Sequence, residues 1–125
     1  MYTAIVLDEE SKNKLKDKFH SFFNEDWKII CHHMTINMGE ASETVNKNIK
    51  NMIGKKVELK AFTVAFDDQV IAVGVDTHIN SSNTIKHITI AVNYKNGGKP
   101  FFSNNLTNWE AIPTIELSGT IEEVG

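Results

Sequence analysis

Two tetrapeptides in this chain pair an imidazole with a hydroxyl: His33-Met34-Thr35-Ile36 and His87-Ile88-Thr89-Ile90. Each lies in a β-branched, apolar run, and side chains alternate along a strand, so each His shares a face with its Thr while the apolar residues point to the core. Five histidines and ten threonines among 125 residues yield two such pairs with apolar spacers by chance on the order of once in a thousand sequences. One copy is a weak signal and two are a strong one. With an unperturbed pKa near about 6.5, one imidazole can be neutral while another is protonated, giving a base that activates a nucleophile and an acid that protonates a leaving oxygen. The hydroxyls can donate to non-bridging phosphate oxygens and stabilise the charge that builds in a pentavalent transition state. The pattern offers acid-base chemistry, with His33 and His87 as the pair, in either assignment, and Thr35 and Thr89 as hydroxyl ligands for an anion such as a phosphate.

These residues need strands to hold them. Tyr2 to Leu7 reads as a strand, followed by the acidic cluster Asp8-Glu9-Glu10-Ser11 at the start of a helix. Leu15, Phe19, Phe22 and Phe23 then recur at spacings of three and four, predicting an amphipathic helix from Glu9 to about Phe23. Trp27 to Met38 is a strand that carries the first motif and ends at Gly39. Ala41, Val45, Ile49, Met52 and Ile53 predict a second helix over Glu40–Ile53, with Gly54 as its C-cap. Val57–Phe66 and Val70–Val75 alternate around Asp67-Asp68 and predict a hairpin. After the polar loop 78–83, a strand from Thr84 to Val92 carries the second motif. A turn over 94–100, a short helix within 101–112 and a last strand from Thr114 to Ile121 complete the order. The expected fold class is α+β, a single domain over residues 1–125 with helices covering a mostly antiparallel sheet.

The tandem His-x-Thr-x resembles the signature of the 2H phosphoesterase superfamily. The resemblance rests on these eight residues and on a compatible element order. It implies two pseudo-symmetric lobes with the motif strands side by side at the floor of a cleft. It also implies metal-independent cleavage of 2′,3′-cyclic phosphates or of short cyclic or linear oligonucleotides, in RNA-end processing or nucleotide-signal turnover. The separation of the two histidines and the total length are short for that family, and the second half looks reduced. Compact size and an AT-rich coding bias keep a second enzymatic reading open, a phage enzyme that destroys the cyclic oligonucleotide signals of bacterial CBASS defence. A non-catalytic nucleotide-binding module is the reading from another class.

Around the pair, Tyr2, Trp27, Tyr94, Phe101 and Phe102 are the candidates for stacking a nucleobase. Tyr94, Phe101 and Phe102 flank the Gly97-Gly98 turn and are the expected substrate-binding lid. Asn37 follows its motif His by four residues and Asn93 follows the other by six, both even spacings, and strict alternation places each on the face of its His, within reach of ribose or phosphate. By the same rule Cys31 lines the cleft as a small filler, and His32 faces away as a packed histidine. His20, His78 and Lys86 are expected in solvent. His32, His33, His78 and His87 lack cysteine partners and zinc-site spacing, so no metal and no cofactor are expected.

A net charge of −3 and a pI near 5.9 argue against long nucleic acid as a partner and for a small nucleotide or oligonucleotide. All 13 basic residues are lysines, so no guanidinium clamp is available to a phosphate. A lone cysteine and the absence of a long apolar stretch lead to the expectation of a cytoplasmic monomer with no membrane association.

Overall fold

Residues 1–125 are described by a computed structural model. Seven strands, β1 (Tyr2–Leu7), β2 (Lys28–Ile29), β3 (His33–Met38), β4 (Lys56–Phe66), β5 (Val70–Asp76), β6 (His87–Val92) and β7 (Glu110–Val124), join one α-helix, α1 (Glu9–Phe19). Every strand pairing is antiparallel. The sheet runs β2-β6-β3-β1-β7-β4-β5, and a further β5–β6 pairing closes it into a barrel. β2 and β3 follow one another along one side of β6, so they act as a single interrupted ribbon. The pairing runs unbroken around the barrel and does not by itself mark a boundary between two lobes. The class is α+β, as expected, with one α-helix rather than several.

Helix α1 starts where the acidic cluster predicts. Asp8 caps it by accepting from the Ser11 N–H at 2.9 Å, and Glu9 and Glu10 sit in the first turn. Ser118 of β7 also donates to Asp8, and its own N–H donates to the Ser11 hydroxyl, so the cap pins the helix to the sheet. Leu15 and Phe19 bury the inward face, and the chain then tightens into a 3-10 turn over His20–Phe22 rather than continuing to Phe23.

The second predicted helix is absent. Within 40–53 only Ile49–Met52 forms a 3-10 turn, entered through Asn48 in the left-handed region at φ 60°. Apolar spacing here competes with Ser, Thr and Asn side chains that bond locally or to other backbone. The Asn46 amide donates to the Asn80 carbonyl and accepts the Asn80 N–H, and the Ser42 and Thr44 hydroxyls bond each other. Val45, Ile49 and Met52 still reach the core, as a strap rather than a helix.

The core is the apolar face of the barrel strands. Met34, Ile36, Ile88 and Ile90, the alternate residues of both motifs, are fully buried in it with Ile5, Leu59 and Ile121. Each such side chain stabilises the fold by roughly 1.5–3 kcal/mol. β7 passes so close to β1 that a Cβ at position 119 would strike the Val6 carbonyl, which is why a glycine stands there. A smaller cluster of Ala65, Val70, Ala72, Val92 and Leu106 lies on the other face of the sheet beneath Phe102 and Trp109.

Candidate active site

β3 and β6 are neighbours. Met34 pairs with Ile88, and extending that antiparallel register sets His33 opposite Thr89 and Thr35 opposite His87. Alternation turns all four off the core, and they line one cleft of about 430 Å³. Tyr2, Met38 and Phe101 form apolar parts of its wall. A second pocket of about 360 Å³ shares Asn83, His87 and Asn104 with it and extends the groove past His87 toward Trp109.

The two imidazoles are held differently. His87 is 9% exposed, and its Nδ1 lies 2.8 Å from the Ile85 carbonyl. A carbonyl only accepts, so Nδ1 carries a proton and donates, leaving Nε2 as the working nitrogen. Burial lowers the pKa of His87, and the carbonyl bond, which favours the cation, opposes that. On His33, burial first and then the charges of His32 and His87 hold the pKa down at about 4. The Tyr2 ring packs on His33 with centroids 4.8 Å apart, and burial raises the Tyr2 phenol above its ordinary value.

The hydroxyls differ as well. Thr89 Oγ1 lies 2.8 Å from the buried Ser103 Oγ and can also donate to the Pro100 carbonyl at 3.5 Å, so the 3-10 turn over Pro100–Asn105 fixes its orientation. Thr35 engages its neighbours through its backbone carbonyl, which accepts from Ser81. Its hydroxyl is left to the cleft.

Three departures from strict alternation rearrange the remaining candidates. In β3, Ala4 faces Thr35 while Thr3 faces Asn37, so Ile36 is an extra residue; in β6, Ala72 faces Thr89 while Ile71 faces Ala91, so Ile90 is extra. Both motif strands therefore bulge at the residue after the Thr, and everything beyond changes face. Asn37 is buried and its amide donates to the Met38 and Glu40 carbonyls. The Asn93 amide donates to the Asp68 carbonyl. Neither asparagine lines the cleft, which corrects the alternation reading of both.

The third departure precedes the first motif. The Cys31 N–H bonds the Thr89 carbonyl at 3.1 Å while Met34 pairs with Ile88, so the β2–β3 ribbon advances three residues as β6 advances one. Cys31 absorbs the excess in the left-handed region at φ 43°. Its side chain enters the core rather than the cleft, Sγ meets the Ile90 carbonyl at 3.5 Å, and burial pushes its thiol up to about 12. His32 is turned toward His33 instead of away from it. The Nδ1 atoms of the two rings are 2.9 Å apart, with the rings nearly perpendicular.

Of the aromatic candidates, Phe101 and Tyr2 line the cleft. Phe102 packs on the smaller core cluster, and Tyr94 is exposed away from the cleft lining. Lys86 is not free in solvent, since its Nζ donates to the Thr77 carbonyl at 2.8 Å. His20 and His78 are exposed. Sequence reading missed the contributions of His32, Ser103, Asn83 and Asn104. Adjacency to the motif was the only signal for His32, and none marked the others. No three His, Cys, Asp or Glu side chains are arranged to hold a metal ion, and no helix is long and apolar enough to cross a membrane.

Among protein-family models, that of the fungal tRNA ligase phosphodiesterase domain matches residues 8–124, a span that includes both motifs. Searches of curated proteins and of solved structures give no match.

Proposed function

Since this chain belongs to the fungal tRNA ligase phosphodiesterase domain family, within the 2H phosphoesterase superfamily, we propose that it is a metal-independent hydrolase of 2′,3′-cyclic phosphates at RNA ends. The observation that carries the reading is the convergence of His33, Thr35, His87 and Thr89 on one cleft. The family match favours an RNA-end cyclic phosphate over the cyclic oligonucleotides of a defence signal and over a binding module without turnover. The groove that continues past His87 gives the rest of an RNA end room beyond the phosphate.

In this mechanism His33 is the base and His87 the acid. A pKa near 4 keeps His33 neutral; burial lowers the pKa of His87 as well, but the Ile85 carbonyl opposes that, so His87 is the ring better able to hold the proton. Water gives its proton to His33 Nε2 as its oxygen attacks phosphorus. The P–O bond to one ribose oxygen breaks, and His87 Nε2 protonates that oxygen. Thr35 and Thr89 donate to the non-bridging oxygens, the part that a metal ion or an arginine takes elsewhere. Phe101 and Tyr2 offer ring faces to the terminal nucleobase.

Turnover in EDTA of 2′,3′-cyclic AMP, 3′,5′-cyclic AMP and a 3′,5′-linked cyclic trinucleotide tests the reading. Preferential opening of the 2′,3′-cyclic phosphate to a monoester supports it. Preference for the trinucleotide transfers the protein to signal destruction, and tight binding with no cleavage of any of the three makes it a binding module.

A further inference from the structure

The bulge before the first motif does more than place His33. An Nδ1-to-Nδ1 separation of 2.9 Å is a hydrogen bond only if one of the two nitrogens carries a proton and the other a lone pair. The two rings therefore fix each other's tautomer. If His32 donated, His33 would present an N–H to the cleft at Nε2 and could not take a proton there. If His33 donates from Nδ1, its Nε2 lone pair faces the cleft. Only the second arrangement leaves a base beside the phosphate.

We propose that His32 is a positioning residue for His33, accepting the His33 Nδ1 proton so that Nε2 is the free base, and taking the charge from it as His33 works. This rests on the reading of His33 as the base. As the water proton reaches His33 Nε2, the Nδ1 proton passes to His32 Nδ1. His33 is then neutral with its proton on Nε2, and His32, protonated on both nitrogens, carries the charge until its Nδ1 proton returns to His33 as the His33 Nε2 proton leaves through the cleft. Atoms and charge balance, because the proton gained from water equals the proton later released. Both rings are partly exposed, and the relay moves the charge off His33, whose cation burial disfavours.

The surroundings fit that direction of transfer. The titratable groups facing His33 are Tyr2 from β1, His87 from β6 and His32 from the bulge. Tyr2 is held neutral by burial, and no carboxylate is among them to stabilise a His33 cation. The left-handed Cys31 that creates the bulge is a strained position retained beside the site, where such strain is commonly found.

The experiment has two arms. Nitrogen-15 NMR of the free protein, at a pH where both rings are neutral, should show His33 protonated at Nδ1 and bare at Nε2. In His32→Phe that single tautomer should be lost. Kinetically, His32→Phe should lower the plateau kcat/KM on 2′,3′-cyclic AMP about tenfold or more, because His33 is then divided between its two tautomers. His32→Asn keeps an acceptor for Nδ1 and should recover most of the plateau. A wild-type His33 that is protonated at Nε2, or a His32→Phe variant with a wild-type plateau, overturns the proposal. So does an Asn variant no better than Phe. If the wild-type protein turns over no cyclic phosphate, the functional reading fails, and the NMR arm still decides the tautomer.

Discussion

Thr35 of β3 stands opposite His87 of β6, and the same register sets His33 opposite Thr89. Each hydroxyl thus flanks the imidazole of the other strand, so a phosphate seated between the strands meets both pairs at once. Thr35→Val and Thr89→Val should each lower kcat on a 2′,3′-cyclic phosphate by about 10- to 10²-fold, with Ser restoring most of it. Their stabilities should differ. Thr89→Val strands the buried Ser103 hydroxyl and should cost about 1–3 kcal/mol in urea unfolding, whereas Thr35→Val should leave the midpoint nearly unchanged. Equal loss of stability in both would contradict the hydrogen-bonding difference.

The pH profile of kcat/KM reports the free protein, and its limbs follow from the two histidines. His33 must be neutral, so activity rises as pH climbs through about 4. His87 must be protonated, and burial lowers its pKa from 6.5, so activity falls again before neutrality. A bell with its maximum between about pH 4 and 6.5 is expected on these values. A plateau extending above pH 8 would contradict His87 as the acid.

Asp8 offers a test of the scaffold apart from the chemistry. The Ser118 hydroxyl first, then the Ser11 N–H, hold its carboxyl down at about 2. The folded pKa lies below the unfolded value of about 3.9, so the stabilisation is complete above roughly pH 4 and is lost as pH falls through about 2. Asp8→Ala should lower stability by about 1 kcal/mol at pH 7, and the gap from wild type should close in thermal melts taken toward pH 2. A gap independent of pH would mean that the cap acts through packing.

How far the sequence speaks depends on whether its signals are local. The β4–β5 hairpin was legible because its turn is chemical as well as periodic: Asp67 Oδ1 accepts from the Gln69 and Val70 N–H groups, and both flanking strands alternate. The acidic start of α1 was legible for the same reason. The strap over residues 40–53 was not, since Asn46 bonds Asn80 across 34 positions and outweighs a helical spacing of apolar residues. In the site, the motif residues shared a face as alternation requires. Asn37, Asn93, Cys31 and His32 did not follow, because extra residues at Ile36 and Ile90 and the turn at Cys31 shift the faces. A bulge is decided by the partner strand's register, and one strand's sequence does not display it.

The most direct test is kcat/KM for 2′,3′-cyclic AMP in EDTA for wild type, His33→Ala and His87→Ala, with thermal melts to show that each variant is folded. Loss of at least about 10²-fold in each folded variant is the predicted result. Wild-type turnover in either one would contradict a two-histidine mechanism.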